Sequence, residues 1–157
     1  MALLWSMTIP GFGQLYNGDY LIGVLLVVLE FAINVKANLN LAILYSFQGD
    51  CLQAAQIANA QWVLFYPCVY VFSLWQAYNQ AMENNRLSQK QADDSYHTYY
   101  NGVFVGAAMV GTLGVIYSSQ IGPIFGGLAG MALGALLGGG IEKIVKLYPA
   151  KDQQTQA

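Results

Sequence analysis

Hydrophobic and polar positions in this chain separate on the scale of whole segments rather than single turns. Long apolar runs are divided by short polar ones. Four runs approach the roughly 20 residues that a helix needs to cross a bilayer core of about 30 Å. They cover residues 20–42, 60–81, 100–117 and 121–147. In the first, residues 21–29 hold no polar side chain, and Glu30, Asn34, Lys36, Asn38 and Asn40 follow among Ile, Val, Ala and Leu. Residues 33–41 alternate apolar and polar, the period of a strand. A lone strand in lipid leaves its backbone unpaired, so the pattern is read as a helix leaving the bilayer. Glu30, Asn34 and Asn38 then share one face at i, i+4, i+8.

The second run is aromatic. Trp62 with Tyr66 and Trp75 with Tyr78 suit the two headgroup levels, and Pro67 predicts a kink. Only Ser118, Ser119 and Gln120 divide the third run from the fourth, which predicts a tight antiparallel helical hairpin. Pro123 fits a first helical turn, and Pro149 closes the last helix. Residues 82–97, with Glu83, Arg86, Lys90, Asp93 and Asp94, read as a solvent-exposed helical extension or loop. Residues 151–157 read as a polar tail. The pattern therefore predicts an all-α polytopic transmembrane bundle of about four spans in one membrane domain.

Composition supports that reading. Of 157 residues, 56% are hydrophobic and 9% charged, against roughly 25% charged in a soluble domain. So few charges cannot cover a water-facing surface. The net charge of -2 and the lack of a basic tract give no footprint for nucleic acid. Cys51 and Cys68 are too few for a disulfide framework and read as small apolar fillers. No signal peptide is expected, since residues 1–9 lack a basic leader and no cleavage pattern follows.

Charge also orients the runs. Arg86 and Lys90 follow the second run, and Lys143, Lys146 and Lys151 close the fourth; residues 41–59 and 118–120 contain no Lys or Arg. The tendency of basic residues to stay cytoplasmic places both termini of a four-span chain inside, with Lys36 as the dissenter. This points to a bacterial cytoplasmic membrane protein with a cytoplasmic C-terminus. Residues 1–13 are too short to span and read as an interfacial or re-entrant half-helix; were they to span, the N-terminus would lie outside.

Residues 9–23 read IPGFGQLYNGDYLIG. Pro10 and Gly11 break an incoming helix, Gly13 and Gly18 permit unusual backbone, and residues 17–19 are turn chemistry. Pro10, Gly11, Gly13, Tyr16 and Gly18 together resemble the P-G-x-G-x-x-Y-x-G turn of a family of small bacterial membrane domains. In that family the turn joins two transmembrane helices. The resemblance covers about the first 45 residues and implies a membrane architecture rather than catalysis. This chain has a shorter first helix and lacks the acidic-basic-aromatic triplet of some members.

The fourth run carries Gly122, Gly126, Gly130, Gly134 and Gly138 at intervals of four, and the third offers Gly102 and Gly106. Glycine repeated on one helix face lets another backbone approach closely. The faces can meet within one hairpin, between copies of the chain, or around a pore. Glu30, with Asn34, is the candidate intramembrane polar site. His97 is the only histidine, so a His-based metal cluster within one chain is not expected. No nucleophile-base pair or phosphate-cradling motif is evident. No cofactor is expected, and the partners foreseen are the lipid bilayer and either a second copy or another membrane protein. The expected function is that of a non-enzymatic structural or accessory subunit. The rivals are a small oligomeric transporter or channel using Glu30, and an enzyme using Asp93 and His97.

Overall fold

The computed structural model describes residues 1–88, 97–118 and 121–147. Among them every regular element is an α-helix: α1 (Ala2–Thr8), α2 (Phe12–Tyr16), α3 (Tyr20–Ala37), α4 (Leu39–Phe47), α5 (Cys51–Ile57), α6 (Ala60–Val63), α7 (Tyr66–Ser88), α8 (Asn101–Ile116) and α9 (Gly122–Leu147). Two of these, α3 and α9, are long and apolar enough to cross a membrane. A third crossing is available if Cys51–Ile57 and Ala60–Ser88, which meet at 93°, form one broken span. The apolar helix α8 has 16 residues, about 24 Å at the usual rise, and falls short of that length on its own.

Contacts between the helices fix the running directions. Asp19 pairs with Gln76, Glu30 with Tyr66, and the carbonyl of Ala37 with the amide of Asn59. α3 therefore runs antiparallel to α7. Asn79 meets Tyr99, and Cys68 meets Thr112, so α8 runs antiparallel to α7 in turn. Gly102 lies against Gly138 and Gly114 against Gly126, so α9 reverses once more. Arg86, Lys143 and Lys146 consequently gather at one end of the bundle. The α3–α4 and α5–α6 connections lie at the other.

Two breaks differ from the sequence reading. The helix expected over residues 20–42 stops at Ala37, because Asn38 adopts a left-handed conformation (φ 53°). Asparagine tolerates that region, and its side chain donates to the carbonyl of Ile57. The helix expected over residues 60–81 breaks at Leu64 and Phe65, which leaves Pro67 in the first turn of α7, where its missing N–H removes no bond. α7 then continues through residues 82–88, the helical extension rather than the loop of the two readings for residues 82–97; residues 89–96, with Lys90, Asp93 and Asp94, lie outside the described residues. The polar stretch 48–59 forms α5 and leads into α6, because Asp50 and Asn59 cap these helices by accepting from the amides of Gln53 and Gln61.

The apolar centre is Ile33, Ala37, Leu39 and Val63, where α3, α4 and α6 meet. Val115 of α8 and Ile124 of α9 pack onto it. Away from this centre the long helices are mostly exposed: Leu21, Leu25, Val28 and Phe31 on α3 and Leu133, Leu137, Ile141 and Ile144 on α9 point outward. In water such a surface would be very costly; in a bilayer it is the solvated face.

Candidate functional site, a polar seam beside an apolar cavity

The turn element forms a short helical hairpin. Pro10 is buried, and Gly11 takes a left-handed φ of 105° to reverse the chain between α1 and α2. A side chain at Gly11 would also strike the Gly23 carbonyl and Val27 of α3, and one at Gly13 would strike Ala2, Ser6 and Ala77. Gly18, with φ of 86° and open space around it, serves the turn into α3. Tyr16 is exposed. The reversal at Gly11 sits beside Ser73, and both arms return toward the bundle end that holds Asn84. The hairpin therefore fills about half the height of the bundle.

A seam of buried polar side chains binds this hairpin to α7. Gln14 is fully buried. Its Nε2 donates to the Ser73 carbonyl at 2.7 Å, and its Oε1 accepts from the hydroxyls of Ser6 at 3.2 Å and Ser73 at 3.4 Å. Each hydroxyl in turn accepts a backbone amide, Ser6 from Gly13 and Ser73 from Gly11, both at 3.2 Å. Further along, Asn17 donates to the Ala77 carbonyl at 2.8 Å, Gln76 to the Asp19 carboxylate at 2.9 Å, and Asn84 to the Asn17 carbonyl. Ser73, Gln76, Ala77 and Asn84 share one face of α7. The adjoining face joins α7 to α8. Asn79, also fully buried, accepts from the Tyr99 amide at 2.6 Å, and Trp75 Nε1 donates to Asn101 at 2.8 Å.

Sequence reasoning missed Ser6, Gln14, Ser73 and Asn79. The available signal was the polar residues at 73, 76, 80 and 84 in an otherwise apolar and aromatic helix, at the three-to-four spacing of one face. Polar groups in a spanning helix turn toward a partner.

Where α1 ends and α4 begins, neither fills the bundle. A cavity of about 230 Å³ remains between Met7, Ile43, Val63, Pro67, Ile124 and Met131. Tyr66 and Tyr70 line it with rings stacked at 5.7 Å. Their hydroxyls are committed elsewhere: Tyr70 donates to the Met7 carbonyl at 2.9 Å and Tyr66 to Glu30 Oε1 at 3.4 Å. Glu30 is thus joined to α7 rather than to Asn34, whose amide donates to Asn40. With Asn38 turned to Ile57, the three-residue polar stripe expected on α3 goes to three separate partners. Glu30 Oε2 and Gln76 Oε1 are buried without a hydrogen-bond partner.

The glycines of α9 divide. A side chain at Gly126, Gly130, Gly134 or Gly138 would run into the α8 backbone, at Gly114, Val110, Gly106 and Gly102 respectively. Gly122 does not face α8; it starts α9 with φ of 78° and abuts Cys51 of α5. At the open end Glu142 accepts from the Gly102 amide at 2.8 Å. It thereby serves as the cap that α8 lacks in its own sequence, since Tyr100 offers no side-chain bond there.

Comparison with protein families, with characterised proteins and with solved structures finds no match to this chain. Chemistry must therefore be read from the site alone. Apart from the unpartnered Gln76 Oε1, the seam is a set of mutually satisfied amides, hydroxyls and carbonyls, which is an arrangement for holding helices together. Among the described residues no three His, Cys, Asp or Glu side chains gather as metal ligands. His97 is exposed, and Asp93 and Asp94 lie outside the described residues.

Proposed function

We propose that this chain is a non-enzymatic, multi-pass protein of the bacterial cytoplasmic membrane that acts as a structural or accessory subunit. The observation that carries the proposal is the division of its surface. Polar side chains turn inward to one another along the seam, while α3 and α9 present apolar side chains outward. In this reading α3, the α6–α7 segment, α8 and α9 are four spans, and α1 with α2 is a re-entrant hairpin closed by the P-G-x-G-x-x-Y-x-G element. The gathering of Arg86, Lys143 and Lys146 at one end supports a cytoplasmic C-terminus. The partner is a larger membrane protein, because the glycine face that would serve self-association is occupied within the chain by α8.

The test is the native mass in mild detergent of the wild type and of Gly130→Leu/Gly134→Leu. A monomer in the wild type, with a less stable variant, is the expected result, and pull-down would then find the partner. A defined homo-oligomer dissolved by the variant would overturn the accessory reading.

A second reading, a small transporter or channel, is favoured by one observation, the unpartnered buried oxygen of Glu30 beside Tyr66. It requires proton or ion flux in liposomes that is lost in Glu30→Gln. Flux that survives the substitution would remove Glu30 from any such mechanism.

A further inference from the structure

Glycine in a helix interior costs about 1 kcal/mol relative to alanine, and close packing against α8 explains that cost at Gly126, Gly130, Gly134 and Gly138. It does not explain Gly140, where an added side chain would meet nothing within 4 Å. Gly140 and Gly139 instead floor a furrow of about 470 Å³ on the outer side of the α8–α9 pair. The furrow changes character along its length. Val103, Ala135 and Leu136 form an apolar stretch, and Lys143, Lys146 and Tyr100 stand at the other end. From Ala135 to Lys146 is about 16 Å of helix.

The charges at that end are unequal. Glu142 is engaged by Lys146 at 2.6 Å and by the Gly102 amide, which leaves Lys143 without an ion pair among the described residues. Tyr100 holds a left-handed backbone, φ 57°, unusual for a bulky residue. Its ring packs edge-on to Tyr78 at the rim.

A furrow with an apolar body, a cationic end and an aromatic rim at the level where α9 meets its basic residues matches one ligand chemistry. We propose that it binds a single anionic phospholipid of the surrounding bilayer, with the phosphate at Lys143 and Lys146 and one acyl chain laid over Gly139 and Gly140. Basic pockets beside spanning helices recognise lipid headgroups in this way, and the side-chain-free floor gives the chain its depth. The inference rests on α9 being a membrane span and goes beyond the accessory role.

The experiment is native mass spectrometry of the detergent-purified protein titrated with phosphatidylglycerol or phosphatidylcholine of identical chains. Wild type, Lys143→Gln/Lys146→Gln, Gly140→Leu and the distant control Lys36→Gln are compared. One phosphatidylglycerol should bind with a clear preference over phosphatidylcholine. Each lysine near an anionic headgroup is worth roughly fivefold, and Lys146 is already partly neutralised. The double variant should therefore lose about tenfold in phosphatidylglycerol affinity and most of the preference. Gly140→Leu should weaken both lipids, and Lys36→Gln should change neither. No preference in the wild type, or a preference unaltered by the double variant, overturns the proposal. The lysine variants give up only the Lys146–Glu142 ion pair among the described residues, so either result counts against the proposal even if Gly140→Leu folds poorly. Failure of the membrane reading would look different: the wild type would be released from membranes by alkaline carbonate and stay soluble without detergent.

Discussion

The two halves of this bundle hold their helices together by opposite means. Between the N-terminal hairpin and α7, contact is made by buried side chains, Gln14, Ser6 and Ser73 above all, each satisfying another. Between α8 and α9, contact is made by removing side chains, so that backbone meets backbone at Gly106 with Gly134 and Gly102 with Gly138. Apolar burial gives neither pair much drive if both sides can be solvated by lipid. The first solution uses the cost of leaving an amide unpaired in a dry interior. The second uses dispersion over a long, close interface. The first should fail chemically and the second sterically.

The largest effect should come from the steric side. Gly134→Leu places a side chain on the Gly106 carbonyl, where no flexible neighbour can yield. We expect a loss of about 3 kcal/mol or more, measured by thermal or denaturant unfolding in detergent. A stable, unshifted Gly134→Leu protein would mean that α8 and α9 do not meet as described.

On the polar side, Gln14→Leu keeps the volume but strands the Ser6 and Ser73 hydroxyls. A loss of about 2 kcal/mol is expected. Its sharper form is a double-mutant cycle with Ser73→Ala, in which the two losses should overlap by about 1 kcal/mol. Strict additivity would show that Gln14 and Ser73 act independently. The smaller effects separate backbone from packing. Gly18→Ala meets no neighbour yet must hold φ of 86°, so it should cost about 1 kcal/mol. Gly140→Ala meets no neighbour in ordinary helical backbone and should instead stabilise, by up to about 1 kcal/mol. A destabilised Gly140→Ala would point to a contact at that position.

These two solutions were not equally legible in the sequence. The all-helical fold and the apolar length of α3 and α9 follow from composition and run length. Glycine packing leaves a mark every four residues, so the period itself draws the eye to residues 122–138. Periodicity does not say where an interface starts, and Gly122 belongs to a different contact because the chain is turning there. The seam leaves no such mark on the N-terminal side, where Ser6 and Gln14 are single polar residues in short segments. Their meaning depends on a helix some 60 residues away, and no local pattern carries that pairing. The same limit explains Asn38. Its place in an apolar-polar alternation is visible, but its left-handed turn is stabilised by the carbonyl of Ile57, which only the assembled chain brings near.

The distance in sequence between Gln14 and Ser73, 59 residues, also sets an order in time. Chains are synthesised at roughly 5–20 residues per second, so α7 is made about 3 to 12 seconds after the hairpin that it will hold. Throughout that interval Gln14 and the amide of Gly11 have no Ser73 to bond, and α1, seven residues long, is too short to be a stable helix on its own. If the hairpin is re-entrant, as proposed, it must wait outside the apolar layer, or be sheltered by another protein, until α7 arrives. Its insertion would then be the closing step of assembly rather than the opening one.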